Sequence, residues 1–466
     1  MKNSDSGSGW YLAGLSIIAA LGGFLFGYDT AIISGTLSFV RDQFALNSIS
    51  EGWFVSSALV GCVAGVAGAG ILSDRFGRKI SLLLAAFLFF VSALGCMLAP
   101  GHSFLISSRL LGGIGVGIAS MLSPLYISEI APPKIRGRLV ALYQFAITLG
   151  ILIAYFANAW LQKNSQNPDI VLSGTMELIF KNEVWRGMLG SETLPALGFF
   201  ILVLLVPESP RWMVLKGKET KAHHTLARIN GIGIADEQIK NIKNTIRDEG
   251  ESIRSMIKQG YLFPLVIGSI LAISSQLSGI NAIIYYGPSI LNEAGFKLSD
   301  ALGGQVVIGI GNVVFTLLAI WKIDQLGRRP LLIAGLSGML IFLTTIGFLF
   351  FFGVESGTVM LIFILGFIAC FAFSYGPVIW VLLSEIYPTR YRGRAMSIAT
   401  LVLWGGNVFV GQMVPWSLEN LKPHGTFWIF ALLTIPALII TIKLLPETKG
   451  KSLEEIEKYW KTRVRK

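Results

Sequence analysis

Twelve runs of about 20 predominantly apolar residues follow one another along this chain of 466 residues, and each is long enough to cross a bilayer as a helix. Hydrophobic residues make up 53% of the chain and charged residues 14%, which leaves too few polar side chains to cover a soluble globule of this size. The runs lie at residues 11–40, 53–72, 80–99, 104–127, 139–161, 188–206, 262–291, 302–323, 331–352, 359–384, 395–416 and 427–445. The sequence therefore predicts an all-α integral membrane protein with twelve transmembrane helices.

Lysine and arginine are distributed unevenly between the two sides of the predicted bundle. An even number of spans places both termini on one side, and 31 of the 38 Lys and Arg residues lie in the tails and junctions of that side. The positive-inside rule assigns this side to the cytoplasm. We therefore expect a multi-pass protein of the plasma (cell inner) membrane with both termini cytoplasmic. The same distribution explains the net charge of +11 without a nucleic-acid partner.

Three short motifs occur twice, each time at the matching junction of the other half. The copies lie at residues 128–138 and 384–394, at 70–79 and 324–329, and at 207–212 and 446–450. Repeats in the same order predict two similar six-helix bundles related by an axis along the membrane normal. We assign residues 1–206 to an N-terminal bundle, 207–260 to a cytoplasmic helical linker, 261–445 to a C-terminal bundle and 446–466 to a cytoplasmic tail.

The repeated motifs combine carboxylates with arginines, and topology alone would supply only the basic residues. We expect Asp74, Glu129 and Glu208 to pair with Arg78, Arg136, Arg138 and Arg211, and Asp324, Glu385 and Glu447 to pair with Arg328, Arg392 and Arg394. Such a network would close the cytoplasmic side in one state and separate in another. A single exposed pair contributes only about 0–1 kcal/mol, so several must act together. The alternative is a set of topology signals and helix caps.

Several segments resemble motifs of the sugar porter family of the major facilitator superfamily, which includes bacterial xylose/proton and hexose/proton symporters and the facilitative glucose transporters. They are residues 70–79, 207–212, 276–281, 376–380 and 446–450, with the two Glu…Arg-Gly-Arg segments, in the family's order over nearly the whole chain. The resemblance implies the major facilitator fold and transport of a monosaccharide or polyol by alternating access. It implies neither an enzyme nor a cofactor.

Amide and indole side chains within the spans are the candidates for a sugar site. Amides supply donors and acceptors to hydroxyl groups, and Trp supplies a flat apolar surface for a sugar ring. The candidates are Gln144, Gln276, Asn281, Asn312, Asn407, Trp380 and Trp404, and the resemblance adds Phe26. Ser275 stands where the family usually has a second glutamine, and Ile151 and Leu403 stand where xylose symporters have further glutamines. We expect a bulkier or less hydroxylated sugar, or a weaker site. The alternative role is polar contact between helices.

Two charged residues, Asp29 and Arg109, lie inside predicted spans. Their depths along spans one and four permit a buried ion pair. Each residue requires such a partner, because an isolated charge in the membrane is costly. The resemblance implies proton coupling, since symporters of the family carry Asp at the position of Asp29 and facilitative glucose transporters carry Asn. A proton from outside would neutralise Asp29 and release Arg109. A static pair is the alternative.

Glycine and proline predict bends beside the sugar path. Gly279, Gly287 and Pro288 would interrupt span seven, and Gly376 and Pro377 would interrupt span ten. Proline removes a backbone hydrogen bond and glycine lowers the cost of bending. We interpret these positions as gating bends, with close helix packing as the alternative.

Other functions fit the same composition less well. A uniporter of the same fold would move sugar without a proton, and a sugar sensor would not transport at all, although sensors usually carry longer cytoplasmic tails.

Cys62, Cys96 and Cys370 are scattered through apolar runs, which indicates no metal site or disulfide framework. We expect sugar, a proton and the lipid bilayer as the partners of a chain that functions as a monomer.

Overall fold

The computed structural model describes residues 8–132, 135–248, 255–256, 261–354, 356–388, 391–451 and 453–464. All regular secondary structure in these residues is helical, and twelve helical segments are long and apolar enough to cross a membrane. The predicted all-α class with twelve transmembrane helices is therefore confirmed. We number these segments as spans 1 to 12 and call spans 1–6 the N-terminal half and spans 7–12 the C-terminal half.

Three of the spans consist of more than one helical segment. Spans 1 to 5 are Gly9–Phe44, Ser48–Phe76, Arg78–Met97, His102–Ile130 and Arg136–Ser165, and span 6 comprises Val184–Gly190 and Thr193–Leu205. Span 7 comprises Leu262–Leu277 and Ile280–Glu293, and spans 8 and 9 are Leu298–Leu326 and Arg328–Phe351. Span 10 comprises Gly357–Cys370, a π-helix at Phe371–Tyr375 and Gly376–Ile386, and spans 11 and 12 are Arg392–Asn420 and Lys422–Lys443.

The remaining helices lie outside the spans. A short helix, Gly174–Glu177, and a π-helix, Leu178–Asn182, precede span 6. The linker helices are Pro210–Leu215, Glu219–Asn230 and Ile232–Asp248, and the tail helix is Leu453–Val464. These linker helices agree with the helical linker that the sequence predicts at residues 207–260.

Both described ends of the chain lie on the same side of the bundle. The backbone N–H of Ser8 donates to the carbonyl of Arg228 in a linker helix at 3.1 Å. The indole of Trp460 in the tail helix donates to the carbonyl of Ile386, at the end of span 10, at 3.1 Å. We call this side the terminal face and the opposite side the far face.

Span 7 is broken at one of its two predicted positions. Gly279 has φ +87°, a left-handed conformation that glycine adopts readily, and it separates the two helices of the span. Gly287 and Pro288, in contrast, lie inside the helix Ile280–Glu293, so the interruption predicted there is wrong. In span 10 the irregular turn is the π-helix, and Gly376 begins the α-helix that follows it.

Small residues allow the spans of one half to pack closely. A Cβ atom at Gly113 in span 4 would lie 1.8 Å from the carbonyl oxygen of Ala58 in span 2, so only glycine fits there. Such close contact is the usual basis of helix association in lipid, where burial of apolar surface gives little driving force. It fixes the relative positions of spans 2 and 4, and Arg109 lies four residues before Gly113.

Candidate functional site

Asp29 and Arg109 form a buried ion pair within the N-terminal half. The structure brings the Arg109 Nη1 atom of span 4 to 2.8 Å from the Asp29 Oδ1 atom of span 1. The Arg109 side chain is 3% exposed and the Asp29 side chain is 5% exposed. Water therefore screens this pair far less than a surface pair, and breaking it would leave two uncompensated charges.

Glu192 lies near this pair, although its place in the sequence did not mark it as a candidate. It stands in the short break between the two helices of span 6 and is 4% exposed, and its Oε1 atom has no hydrogen-bond partner among the described residues. The neighbouring Ser191 bonds the hydroxyl of Tyr28, the neighbour of Asp29, at 2.7 Å. Two carboxylates beside one arginine leave one negative charge without a counter-ion, and burial disfavours that charge. Asp29, Glu192 and Arg109 together are therefore suited to take up a proton within the membrane. A carboxylate inside the apolar run 188–206 was the available signal.

A second polar cluster lies in the C-terminal half, where Gln276 and Asn281 flank the break in span 7. The Asn281 Nδ2 atom donates to Gln276 Oε1 at 2.5 Å and to Asn407 Oδ1 of span 11 at 3.0 Å. The hydroxyl of Tyr285 also donates to Asn407 Oδ1, at 3.0 Å. Gln276 Nε2 donates to the Ser275 hydroxyl at 2.8 Å. We call these five residues the amide cluster.

Two of the aromatic candidates meet between the halves. The rings of Phe26 in span 1 and Trp404 in span 11 have centroids 5.3 Å apart, and Trp404 is buried. Gln144 and Trp380 are half-buried, and Asn312 is buried. In the described part of the chain no hydrogen bond joins these last three to the amide cluster.

The first terminal-face cluster lies where spans 2 and 3 meet. Arg78 donates twice to Glu129, from Nη2 at 2.9 Å and from Nε at 3.0 Å, and lies 3.6 Å from Asp74. Glu208 accepts the backbone N–H groups of Arg78 and Lys79, so its carboxylate satisfies the N-terminus of span 3. The Ser209 hydroxyl donates to Glu129 and completes the cluster.

The second terminal-face cluster repeats this arrangement where spans 8 and 9 meet. Arg328 Nη2 lies 3.0 Å from Glu385 Oε1, and the Thr448 hydroxyl donates to Glu385 Oε2 at 2.6 Å. Glu447 accepts the backbone N–H groups of Arg328 and Arg329, both at 3.1 Å. Each half therefore holds one Arg–Glu pair, one capping glutamate and one hydroxyl in equivalent positions.

The other arginines predicted to form this network have different surroundings. Arg136 donates to the carbonyl of Ala131 at 3.5 Å, and Arg138 and Arg394 are exposed. None of these three contacts a carboxylate among the described residues. Arg211 and Arg392 are half-buried, and the side chain of Asp324 lies outside the described residues.

Hydrogen bonds join the two halves on the side of the far face. The Ser56 hydroxyl of span 2 donates to Gln412 Oε1 of span 11 at 2.7 Å, and Gln412 Nε2 donates to the carbonyl of Ile49 at 3.0 Å. Gly52, between these contacts, allows the helices to approach, since a Cβ there would lie 2.4 Å from the Gln412 carbonyl oxygen. Spans 2 and 11 therefore close together near the far face.

Pro288 provides a further contact between the halves. Proline has no backbone N–H, so the carbonyl of Ile284, four residues earlier, loses its helical partner. The hydroxyl of Tyr155 in span 5 donates to this carbonyl at 3.2 Å. A proline within span 7 thus frees an acceptor for the N-terminal half without ending the helix.

Twelve spans in two halves, with paired terminal-face clusters and polar groups between the bundles, define a transporter of the major facilitator fold. The family described as Sugar (and other) transporter matches residues 15–460, and the chain belongs to this family. It is 44% identical to an arabinose-proton symporter of Bacillus subtilis (strain 168), over 96% of this chain and 94% of the relative. It is 38% identical to a D-xylose-proton symporter of Escherichia coli (strain K12), over 98% and 97%.

Solved structures agree with this assignment. The inward open conformation of the xylose transporter XylE from E. coli has a TM-score of 0.82 and 37% sequence identity, and the match covers 97% of this chain and 100% of that chain. The predicted fold and family are thereby confirmed, as is a transporter rather than an enzyme.

Proposed function

We propose that this protein carries a monosaccharide together with a proton across the membrane by alternating access. The observation that carries the proposal is the buried group of Asp29, Glu192 and Arg109, in which two carboxylates accompany one arginine, so that one carboxylate can take up and release a proton in the same molecule as an amide and indole site. Relatives named as arabinose-, D-xylose- and galactose-proton symporters support the coupling of sugar to protons.

The proton step uses the N-terminal half. With Asp29 ionised, Arg109 is held at 2.8 Å and spans 1 and 4 are tied together. A proton arriving from outside neutralises Asp29, which weakens the attraction on Arg109 and frees span 1 to move relative to span 4. Glu192, a second buried carboxylate near Asp29, supplies a second site for the proton. The release of the proton inside restores the pair.

The sugar step uses residues of both halves. The amides of Gln276, Asn281 and Asn407 bond hydroxyl groups, while Trp404 and Phe26 cover an apolar ring face. Gln144, Asn312 and Trp380 complete the proposed site and approach the sugar when the halves close around it, and Ser275 contributes through its hydrogen bond with Gln276. Gly279 provides the bend at which the two helices of span 7 move against each other.

We assign the terminal face to the cytoplasm, since most Lys and Arg residues lie on that side, and the protein to the plasma (inner) membrane. Contacts near the far face, including those of Gln412 and Tyr155, then correspond to an inward-facing state. In the outward-facing state the two terminal-face clusters meet and close the cytoplasmic side. A monomer suffices, because one chain supplies the proposed sugar and proton groups.

The direct test is uptake into proteoliposomes. Purified protein would be reconstituted, and labelled L-arabinose, D-xylose and D-galactose would be supplied with and without an inward proton gradient. We expect at least one sugar to accumulate above equilibration only while the gradient lasts. Equal uptake in both conditions would identify a uniporter, and folded protein that moves no sugar would refute the proposal.

A further inference from the structure

The hydroxyl of Ser275 has no hydrogen left for a bound molecule. Ser275 is 1% exposed, and its Oγ atom donates to the carbonyl of Ala272 at 2.6 Å. The same oxygen accepts from Gln276 Nε2 at 2.8 Å. Because a hydroxyl carries one hydrogen, the Ser275 side chain can act towards its neighbours only as an acceptor.

These contacts hold both ends of the Gln276 amide. Its oxygen accepts from Asn281, at 2.5 Å, and one of its two N–H groups donates to Ser275. A flipped amide would place its NH₂ against the NH₂ of Asn281 and its oxygen against the Ser275 oxygen, whose hydrogen points to Ala272. The flip is therefore unfavourable, and Gln276 retains one N–H group for a ligand.

The rest of the amide cluster is oriented in the same way. Asn281 uses its second N–H on Asn407 Oδ1, which also accepts from the Tyr285 hydroxyl, so two donors meet that oxygen. The Nδ2 atom of Asn407 keeps both hydrogens. Gln276 and Asn407 thus both offer N–H donors in this arrangement.

We propose that Ser275 is a positioning residue that fixes the amide of Gln276 so that it presents an N–H, and not a carbonyl, to the sugar. The inference rests on the proposed function and refines its substrate class. The sugar hydroxyl opposite Gln276 acts as an acceptor, so a fluorine atom, which only accepts, can replace it better than hydrogen can.

The experiment measures sugar affinity by calorimetry for the full-length protein, with the panel sugar that the wild type binds best. Ser275→Ala removes the acceptor, whereas Ser275→Thr keeps a hydroxyl able to donate to a carbonyl one turn earlier. Ser278→Ala is the matched control, because Ser278 is fully buried in the same span and its hydroxyl donates only to a backbone carbonyl, that of Ser275, at 2.8 Å. Gln276→Ala and the double variant Ser275→Ala/Gln276→Ala complete a cycle.

We expect Ser275→Ala to weaken binding about tenfold, as loss of a buried hydrogen bond does, while Ser275→Thr and Ser278→Ala stay within about twofold of wild type. In the Gln276→Ala background, Ser275→Ala should change nothing further. Among monodeoxy and monofluoro analogues of the sugar, the fluoro analogue should bind better than the deoxy analogue at one position, and Ser275→Ala should remove that preference.

Three results would overturn the inference. The first is an unchanged sugar affinity in Ser275→Ala, and the second is an equal loss of affinity in Ser275→Ala and Ser275→Thr. The third is that Ser275→Ala weakens binding as much in the Gln276→Ala background as in the wild type, which would mean that the serine contacts sugar itself. A wild-type protein that binds no sugar would defeat the proposed function and this inference together. Wild-type binding with any of the three results defeats the inference alone.

Discussion

In the N-terminal half Arg78 pairs with Glu129, and in the C-terminal half Arg328 pairs with Glu385, at equivalent junctions and with equivalent capping glutamates. The centres of the halves differ. The N-terminal half buries charged groups, while the C-terminal half buries neutral amides. The two halves thus share their arrangement at the terminal face and differ in their interiors, and the proposed function assigns the proton to the charged interior and the sugar to the amide interior.

The largest expected effect is the loss of proton coupling without the loss of sugar binding. Asp29→Asn should abolish sugar accumulation driven by a pH gradient, because Asn retains the shape but cannot take a proton. Sugar affinity, which the proposed function assigns to the amide cluster, should stay within about threefold. Uptake and binding would be measured on the same preparation after a check of folding, since Arg109 loses its counter-ion. Gradient-driven accumulation in the variant would show that Asp29 is not the coupling group.

Substitutions in the amide cluster should instead impair sugar binding. Gln276→Ala and Asn281→Ala should each weaken sugar binding about 10- to 100-fold, since a sugar hydroxyl loses a buried partner at about 1–3 kcal/mol. Both variants should fold, as judged by thermal unfolding in detergent. Calorimetric affinities equal to those of the wild type would place the sugar elsewhere.

The repeated clusters allow a symmetric test. Glu129→Gln and Glu385→Gln each remove a carboxylate from one terminal-face cluster, which weakens the meeting of the two clusters proposed for the outward-facing state. Each should therefore shift the balance of states towards inward-facing by about tenfold, or ~1.4 kcal/mol. Labelling of engineered cysteines from the cytoplasmic side measures this shift. If one variant shifts the balance and the other does not, the two clusters share geometry but not a role.

The smallest effect concerns the contact freed by Pro288. Tyr155→Phe removes one hydrogen bond between the halves, worth about 1 kcal/mol, and should reduce the inward-facing population about fivefold. Tyr286→Phe is the control, because its hydroxyl donates to the Gly411 carbonyl within the C-terminal half, at 2.6 Å. Equal shifts in both variants, measured by the same labelling, would mean that the Tyr155 hydrogen bond does not specifically stabilise the inward-facing state.

The sequence predicted those features that depend on composition along one helix or on repetition. Hydropathy located the twelve spans, and the depths of Asp29 and Arg109 indicated a meeting that the structure contains. Glu208 was expected to pair with arginines, yet it accepts backbone N–H groups at the start of span 3. The first N–H groups of a helix have no partner within the helix, and the sequence does not show which side chain will reach them.

Other features depend on three-dimensional neighbours. Glu192 is one polar residue in an apolar run, and only the break in span 6 and its packing against span 1 bring it near Asp29 and Arg109. Pro288 suggested an interruption, but Tyr155 satisfies the carbonyl that it frees and the helix continues. The orientation of the Gln276 amide likewise follows from contacts with Ser275 and Asn281 together.

The central claim is that sugar and proton cross together, and its most direct test is the pH of a lightly buffered medium around proteoliposomes when sugar is added. The account predicts alkalinisation outside as sugar and protons enter together, and no such change with Asp29→Asn or with empty vesicles. Sugar uptake by the wild type at constant external pH would contradict the account and make the protein a uniporter.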